Sequence, residues 1–303
     1  MADTATALSN LMRYAVDYST PLLLAALGEA LAERSGVLNL GVEGIMAVGS
    51  AIGFVVTLHT GNPWLGVAAA SLAGLLLAAV HAFFSVTLKA NQIVSGLALA
   101  IAGLGLSSMA ASGYLGWTVE KLEAIHIDIP LIPSWLNDHN ALAYLALLLA
   151  PLLWVLSEKT EWGLTVRAVG DDPATARSVG INVAAIRYIC VLAGGAGAGV
   201  AGAYLPLSVY GSWFEGITAG RGWIALGIVI LGFWNPLRVL FASYFVGAVM
   251  SLPHVAPAFG LRINEYLLLA IPYLAVIAVL SVASLEAAKK RVGAPMSLGK
   301  SEY

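Results

Sequence analysis

Long apolar runs, separated by short polar stretches, recur along the whole chain of 303 residues. Runs of about 18 or more apolar residues are the signature of membrane-spanning helices. The pattern predicts an all-α fold, a polytopic transmembrane bundle of about nine spans with interrupted helices. The spans are expected at about 18–32, 42–58, 64–88, 93–115, 141–156, 188–207, 222–234, 237–252 and 264–282. The first, seventh and eighth are short, so one of them can be re-entrant. Between the spans lie two larger polar stretches, 116–140 with Pro130 and Pro133 as breakers, and 157–187. A polar tail covers about 284–303. No segment reads as a separate soluble domain, so residues 1–303 form one transmembrane domain.

Composition agrees with the pattern. The chain is 59% hydrophobic and 11% charged, with a mean hydropathy of +0.86. Soluble domains carry roughly 25% charged residues, so the charges here are too few to cover a water-soluble body. The net charge of −2 gives no basic field for a nucleic acid. Cys190 is the single cysteine and stands in an apolar run, which excludes an internal disulfide, a zinc pattern or a redox pair. Residues 1–17 hold Asp3 and Asp17 and have no basic start, unlike a cleaved signal peptide.

Sidedness follows from Lys and Arg. With the spans numbered as above, only Arg13, Lys121, Arg221 and Arg262 fall on one side, and the other basic residues fall on the side of 157–187. The richer side is cytoplasmic by the positive-inside rule. The N-terminus and the 116–140 loop are therefore expected outside, and the C-terminus inside.

Three features carry chemistry. The first is the break between the first two spans, where Gly28, Glu29, Glu33, Arg34, Ser35, Gly36, Asn39, Gly41, Glu43 and Gly44 stand in or beside the membrane. Irregular backbone at that depth survives only where protein or water satisfies it, and interrupted helices in transporters place half-helix ends at the solute path. Glu43 reads either as a group lining or shaping the path or as a carboxylate capping the first turn of the second span. The second feature is the run of Gly and Ala over 194–203, whose bare face suits close helix packing. The third is the inward loop. Asp171 and Asp172 followed by Pro173 read as a helix start, and Gly180 reads as its end. A two-turn helix of that kind cannot bury a core alone and is expected to be gripped by another protein.

The stretch from Leu27-Gly28-Glu29 through Asn39-Leu40-Gly41-Val42-Glu43-Gly44-Ile45-Met46 resembles the signature of ABC-importer permeases of the branched-chain amino acid and simple-sugar superfamily. It is closest to the nucleoside-type members. Gly163-Leu164, Arg167-Ala168-Val169-Gly170-Asp171-Asp172-Pro173 and Ala176-Arg177-Ser178-Val179-Gly180-Ile181 are similar to that family's coupling-helix loop. The resemblance implies a bacterial plasma-membrane importer in which this chain forms half of the path for a nucleoside or nucleobase-like solute. A simple sugar or a branched-chain amino acid is the alternative.

The implied partners are a second permease subunit, a cytoplasmic ATP-binding subunit and an extracytoplasmic substrate-binding protein or lipoprotein. It further implies that this chain is no enzyme and binds no cofactor, with ATP and Mg²⁺ on the separate ATPase. The absence of a G-x-x-x-x-G-K-[ST] loop agrees. The coupling element would be Asp171, Asp172, Pro173, Ala174, Ala176, Arg177 and Gly180. Small Ala174 and Ala176 would allow close approach, and Asp171, Asp172 and Arg177 would orient it by charge. The path would be lined by Asn39, Glu43, Trp213, Phe214 and Trp223, although the three aromatics fit an interfacial belt equally well. A secondary transporter or channel would be expected to arrange its membrane acids as an ion relay, whereas here they cluster at one break.

Overall fold

The computed structural model describes residues 4–126, 134–255 and 294–300, with single helical positions between 267 and 281. Among the described residues up to 255, ten α-helices follow one another: α1 (Thr4–Arg34), α2 (Val42–Thr60), α3 (Pro63–Ala82), α4 (Gln92–Ala111), α5 (Ala141–Lys159), α6 (Glu161–Asp171), α7 (Pro173–Ser178), α8 (Val183–Tyr204), α9 (Arg221–Leu231) and α10 (Pro236–Val255). The sheet content among the described residues is a two-residue pairing, Ala124–Ile125 with His139–Asn140, and a bridge between Thr118 and Ser212.

Among the described residues six helices are long and apolar enough to cross a membrane: α2, α5, and the stretches Pro63–Thr87, Gln92–Tyr114, Val183–Tyr210 and Pro236–Pro253. The expected nine are not confirmed. The first expected span proves to be part of α1, which has 31 residues and carries Arg13, Asp17, Glu29 and Glu33. Asp17 is met there by the buried His139, whose Nδ1 lies 3.1 Å from its Oδ1. The seventh is α9, whose 11 residues span about 16 Å at 1.5 Å per residue, half of a bilayer core. Most of the ninth lies outside the described residues.

Asparagine opens most of the crossing helices. Asn62 accepts the N–H groups of Trp64 and Leu65 before α3, with Pro63 in the first helical position. Asn91, Asn140 and Asn182 do the same for α4, α5 and α8. Asn235 accepts from Leu237 and Arg238 at the start of α10. A helix start leaves unpaired N–H groups, and a short side-chain oxygen satisfies them. Gly41 before α2 and Gly220 before α9 offer no side chain for this.

The glycine run lies on α8 at the centre of the bundle, where it brings three helices against one. A Cβ on Gly194 would lie 2.8 Å from the Gly28 carbonyl oxygen of α1, and one on Gly202 would lie 2.0 Å from that of Met46 in α2. Gly195 meets Gly74 and Ala78 of α3 in the same way. Any side chain here would force the backbones apart, so small residues set the spacing.

Candidate functional site

The chain between α1 and α2 is held by side chains from four helices. The Ser35 carbonyl accepts from Arg187 Nε of α8 at 3.1 Å. Gln92 of α4 donates to the Gly36 carbonyl at 3.4 Å and accepts the Leu38 N–H at 2.7 Å. His81 of α3 lies 3.1 Å from the Leu38 carbonyl through Nε2 and 3.1 Å from Ser95 Oγ through Nδ1. A carbonyl only accepts, so Nε2 carries the hydrogen in that contact. Glu29 of α1 accepts the Asn39 N–H at 2.9 Å. The irregular segment is therefore satisfied within the protein, as membrane depth requires. Glu33, one turn beyond Glu29, accepts the indole N–H of Trp234.

Glu43 stands in the first turn of α2 and is buried. It does not cap its own helix. Its Oε1 accepts the Thr218 hydroxyl at 2.6 Å and the Gly220 N–H at 3.0 Å, and its Oε2 accepts the Gly222 N–H at 2.7 Å. Gly220 and Gly222 flank the first residue of α9, so this carboxylate caps a different helix, whose positive dipole end it faces. The neighbouring Gly44 packs on Leu99, Ala100 and Gly103, halfway along α4. The starts of α2 and of the short α9 thus meet beside the middle of α4.

The chain reaches that point from the other end of the bundle. Past Tyr204 it widens into a π-helical turn, Leu205–Tyr210, where Val119 donates to the Gly211 carbonyl and Lys121 to that of Val209. It then re-enters over 211–220, with Ala219 at φ 45° and Gly220 at φ 77°. The left-handed conformation at Ala219 costs a non-glycine residue roughly 1–2 kcal/mol, and the Glu43 contacts offset it. Arg221, expected at the outer surface, is buried instead. Its guanidinium donates to the Ile217 and Thr218 carbonyls and to Tyr210 Oη at 3.0 Å.

The path candidates separate in this geometry. Trp213 is 2% exposed, packs with Ala51, Phe54 and Ile217, and donates its indole N–H to Ser50 Oγ at 3.3 Å. It anchors the re-entrant loop from beneath and presents no face to a path. Phe214 is 40% exposed and stands edge-on to Tyr210, and Trp223 is 37% exposed on the first turn of α9. Asn39 is buried and turned inward, its Oδ1 accepting the Gly41 N–H at 3.0 Å. Thr218, Gly220, Gly222, His81, Gln92 and Arg187 escape the sequence reading. The one signal for the first three is Gly220-Arg221-Gly222 opening a span too short to cross.

The stretch 157–187 holds a helical hairpin. It holds α6 as well as α7, and Asp171 ends α6 while Asp172 caps α7. Asp172 accepts the N–H groups of Ala174 and Thr175, each at 3.0 Å, and the Thr175 hydroxyl at 2.6 Å. These bonds, the hydroxyl first, hold its carboxyl below the usual range. Pro173 is the first residue of α7, and Gly180 closes the turn at φ 87°. Ala176 is 2% exposed and packs on Val169 and Val183. The hairpin thus has a small core of its own, and Ala176 belongs to it. Ala174, Arg177 and Val179 are exposed. Arg34 and Arg167 both pair with Glu158 beside the hairpin, at 2.8 and 2.6 Å.

A multi-pass helical bundle with a helix start capped inside it and a capped hairpin at one end fits a membrane permease. The chain belongs to the family described as the branched-chain amino acid transport system permease component, whose model matches residues 11–280. It is an ABC transporter permease subunit. Among its relatives, a candidate glucose ABC transporter permease of Haloferax volcanii, TsgC13, is 38% identical over 96% of each chain. The guanosine permease NupQ of Bacillus subtilis is 31% identical over 98% of this chain and 99% of its own. The nucleoside permease NupC of Lactococcus lactis is 35% identical over 78% of this chain and 79% of its own. No solved structure matches.

Proposed function

We propose that this chain forms half of the translocation path for a nucleoside or nucleobase-like solute in an ATP-driven importer of a bacterial plasma membrane. The observation that carries the reading is the loop 211–220, pinned beside the middle of α4 by Glu43, with Phe214 and Trp223 half-exposed on and beside it. Aromatic faces stack on a planar base. The guanosine and nucleoside permeases among the relatives support the same class.

A second permease subunit completes the path. A separate cytoplasmic subunit binds ATP and Mg²⁺ and grips the exposed side of α7, and an extracytoplasmic binding protein or lipoprotein delivers the solute. The hairpin passes ATPase closure to the bundle as rigid-body motion. Simple-sugar transport is the second reading, favoured by the likeness to TsgC13, and sugars stack on the same aromatics.

Uptake of radiolabelled guanosine, uridine and glucose by cells expressing the whole transporter tests the reading. Saturable, ATP-dependent uptake of the nucleosides is expected. Uptake of glucose alone replaces the nucleoside with the sugar, and no ATP-dependent uptake of any of them contradicts both.

A further inference from the structure

Residues 294–300, part of the polar tail, lie against both the hairpin and the break between α1 and α2. The segment folds into two short turns. The Leu298 N–H meets the Pro295 carbonyl at 3.2 Å, and that of Lys300 meets the Ser297 carbonyl at 3.1 Å. Pro295 and Ser297 are buried, whereas Ala294 and Met296 are exposed. Leu298 packs against the main apolar core.

Ser297 makes the link. Gly170 is the last residue but one of α6, and a helix end leaves such carbonyls without a partner along the helix. The Ala174 N–H, which would reach back to it in a continuous helix, is taken by Asp172. Ser297 donates to the Gly170 carbonyl instead, through its N–H at 3.0 Å and its hydroxyl at 2.6 Å. The same hydroxyl oxygen accepts from Arg187 at 3.2 Å, and Arg187 Nε holds the Ser35 carbonyl at 3.1 Å. One serine therefore joins the last turn of α6 to the first residue of the break.

The seat is shaped for it. A Cβ on Gly36 would lie 2.3 Å from Ser297 Oγ, and Gly36 has φ 90°, a conformation that favours glycine. A Cβ on Gly170 would lie 2.0 Å from the Arg34 carbonyl oxygen and 3.3 Å from Pro295 Cβ. Hairpin, break and tail thus pack too closely for a side chain at either glycine. Gln92, which holds Gly36 and Leu38, also reaches the Lys300 carbonyl at 3.5 Å.

We propose that Ser297 is a positioning residue that makes the hairpin and the break between α1 and α2 move as one body. The inference rests on the proposal that the hairpin takes up ATPase closure, and it names the residue that carries the motion onward. Displacement of α6 would draw Ser297 with it through two bonds to one carbonyl, and Arg187 would pass the motion to Ser35. From Ser35 the chain runs through Asn39 to Glu43, which caps α9 beside the proposed path.

The test uses the whole transporter and two readouts. Hydrogen exchange is followed without nucleotide at the Leu38 and Asn39 N–H groups of the break and at the Asp172 N–H after α6. Solute taken up per ATP hydrolysed is the second. Ser297→Ala should speed exchange at both places about fivefold or more and lower solute per ATP severalfold, with the unfolding temperature close to that of wild type. Met296→Ala, in the same turn but exposed, should change neither readout. Deletion of 294–303 should exceed Ser297→Ala in both, and where the deletion does not fold, Ser297→Ala decides alone. Faster exchange at one place only, or wild-type solute per ATP in Ser297→Ala, overturns the proposal. Failure of the docking reading shows separately, as coupling that survives Val179→Glu, and leaves the exchange comparison standing.

Discussion

Glu43 Oε2 lies 2.7 Å from the backbone nitrogen of Gly222, 179 residues further along the chain. One carboxylate in the first turn of α2 thereby caps the first turn of α9, and the loop between Tyr210 and Arg221 is drawn to the middle of the bundle. The start of α9 has no side-chain cap of its own, so Glu43 supplies it, beside the Trp213–Ser50 bond and the Arg221 bonds that also hold the loop.

Replacing Glu43 by Gln therefore leaves less capping than a local cap would. Thr218, Gly220 and Gly222 present three donors, and an amide offers one oxygen while turning its own N–H groups toward the rest. At least one donor loses its acceptor inside the bundle, at a cost of about 1–3 kcal/mol. Glu43→Gln should lower thermal stability and uptake, and Glu43→Ala should lower both further. Wild-type unfolding in both variants would remove Glu43 from its structural role.

Gly202 and Gly113 make a matched pair. A Cβ on Gly202 meets the Met46 carbonyl at 2.0 Å, while one on Gly113 meets nothing within 4 Å. Gly202→Ala should cost about 1–3 kcal/mol through forced separation of α2 and α8. Gly113→Ala should stay within about 0.5 kcal/mol of wild type. Equal unfolding temperatures for the two would contradict the close approach.

The hairpin separates folding from docking. Asp172→Ala should release the N–H groups of Ala174 and Thr175, read as faster hydrogen exchange, and Asp172→Asn should restore much of the protection. Because the folded carboxyl is held below its ordinary range, this support is complete above the unfolded pKa. It is lost as pH falls through the depressed folded value. Ala176→Glu would place a charge in the hairpin's own core, so it reports folding. Val179→Glu, at a position 71% exposed, should leave insertion and exchange unchanged while uptake and solute-stimulated ATP hydrolysis fall together. Retained coupling in Val179→Glu would place ATPase docking elsewhere.

Much of this was legible in the sequence because it is local. The run on α8 declares a packing face, and Asp172-Pro173 declares the hairpin helix. What could not be read depends on partners far along the chain. The capping geometry of Glu43 is recognisable, yet nothing near it says that the capped helix begins 178 residues later, at Arg221. Ala176 reads as a small surface residue until Val169 and Val183 close over it. Trp213 and Phe214 are neighbours in a loop, and only the position of Ser50 and Phe54 decides that one is buried and the other faces outward. The start of α1 lies outside the expected first span because Arg13 and Asp17 interrupt the apolar run, whereas Asp17 is paired with His139.

Solute-protected labelling at Phe214 tests the assigned path most directly. Cys190 is buried, so a cysteine replacing Phe214 should be the main reactive thiol toward a small membrane-impermeant reagent. In the whole transporter, with its binding protein present, labelling is expected to inactivate uptake and to be slowed by the transported nucleoside but not by ATP alone. Labelling at the same rate with and without solute, with uptake intact afterwards, would contradict the placement of the Glu43-pinned loop on the translocation path.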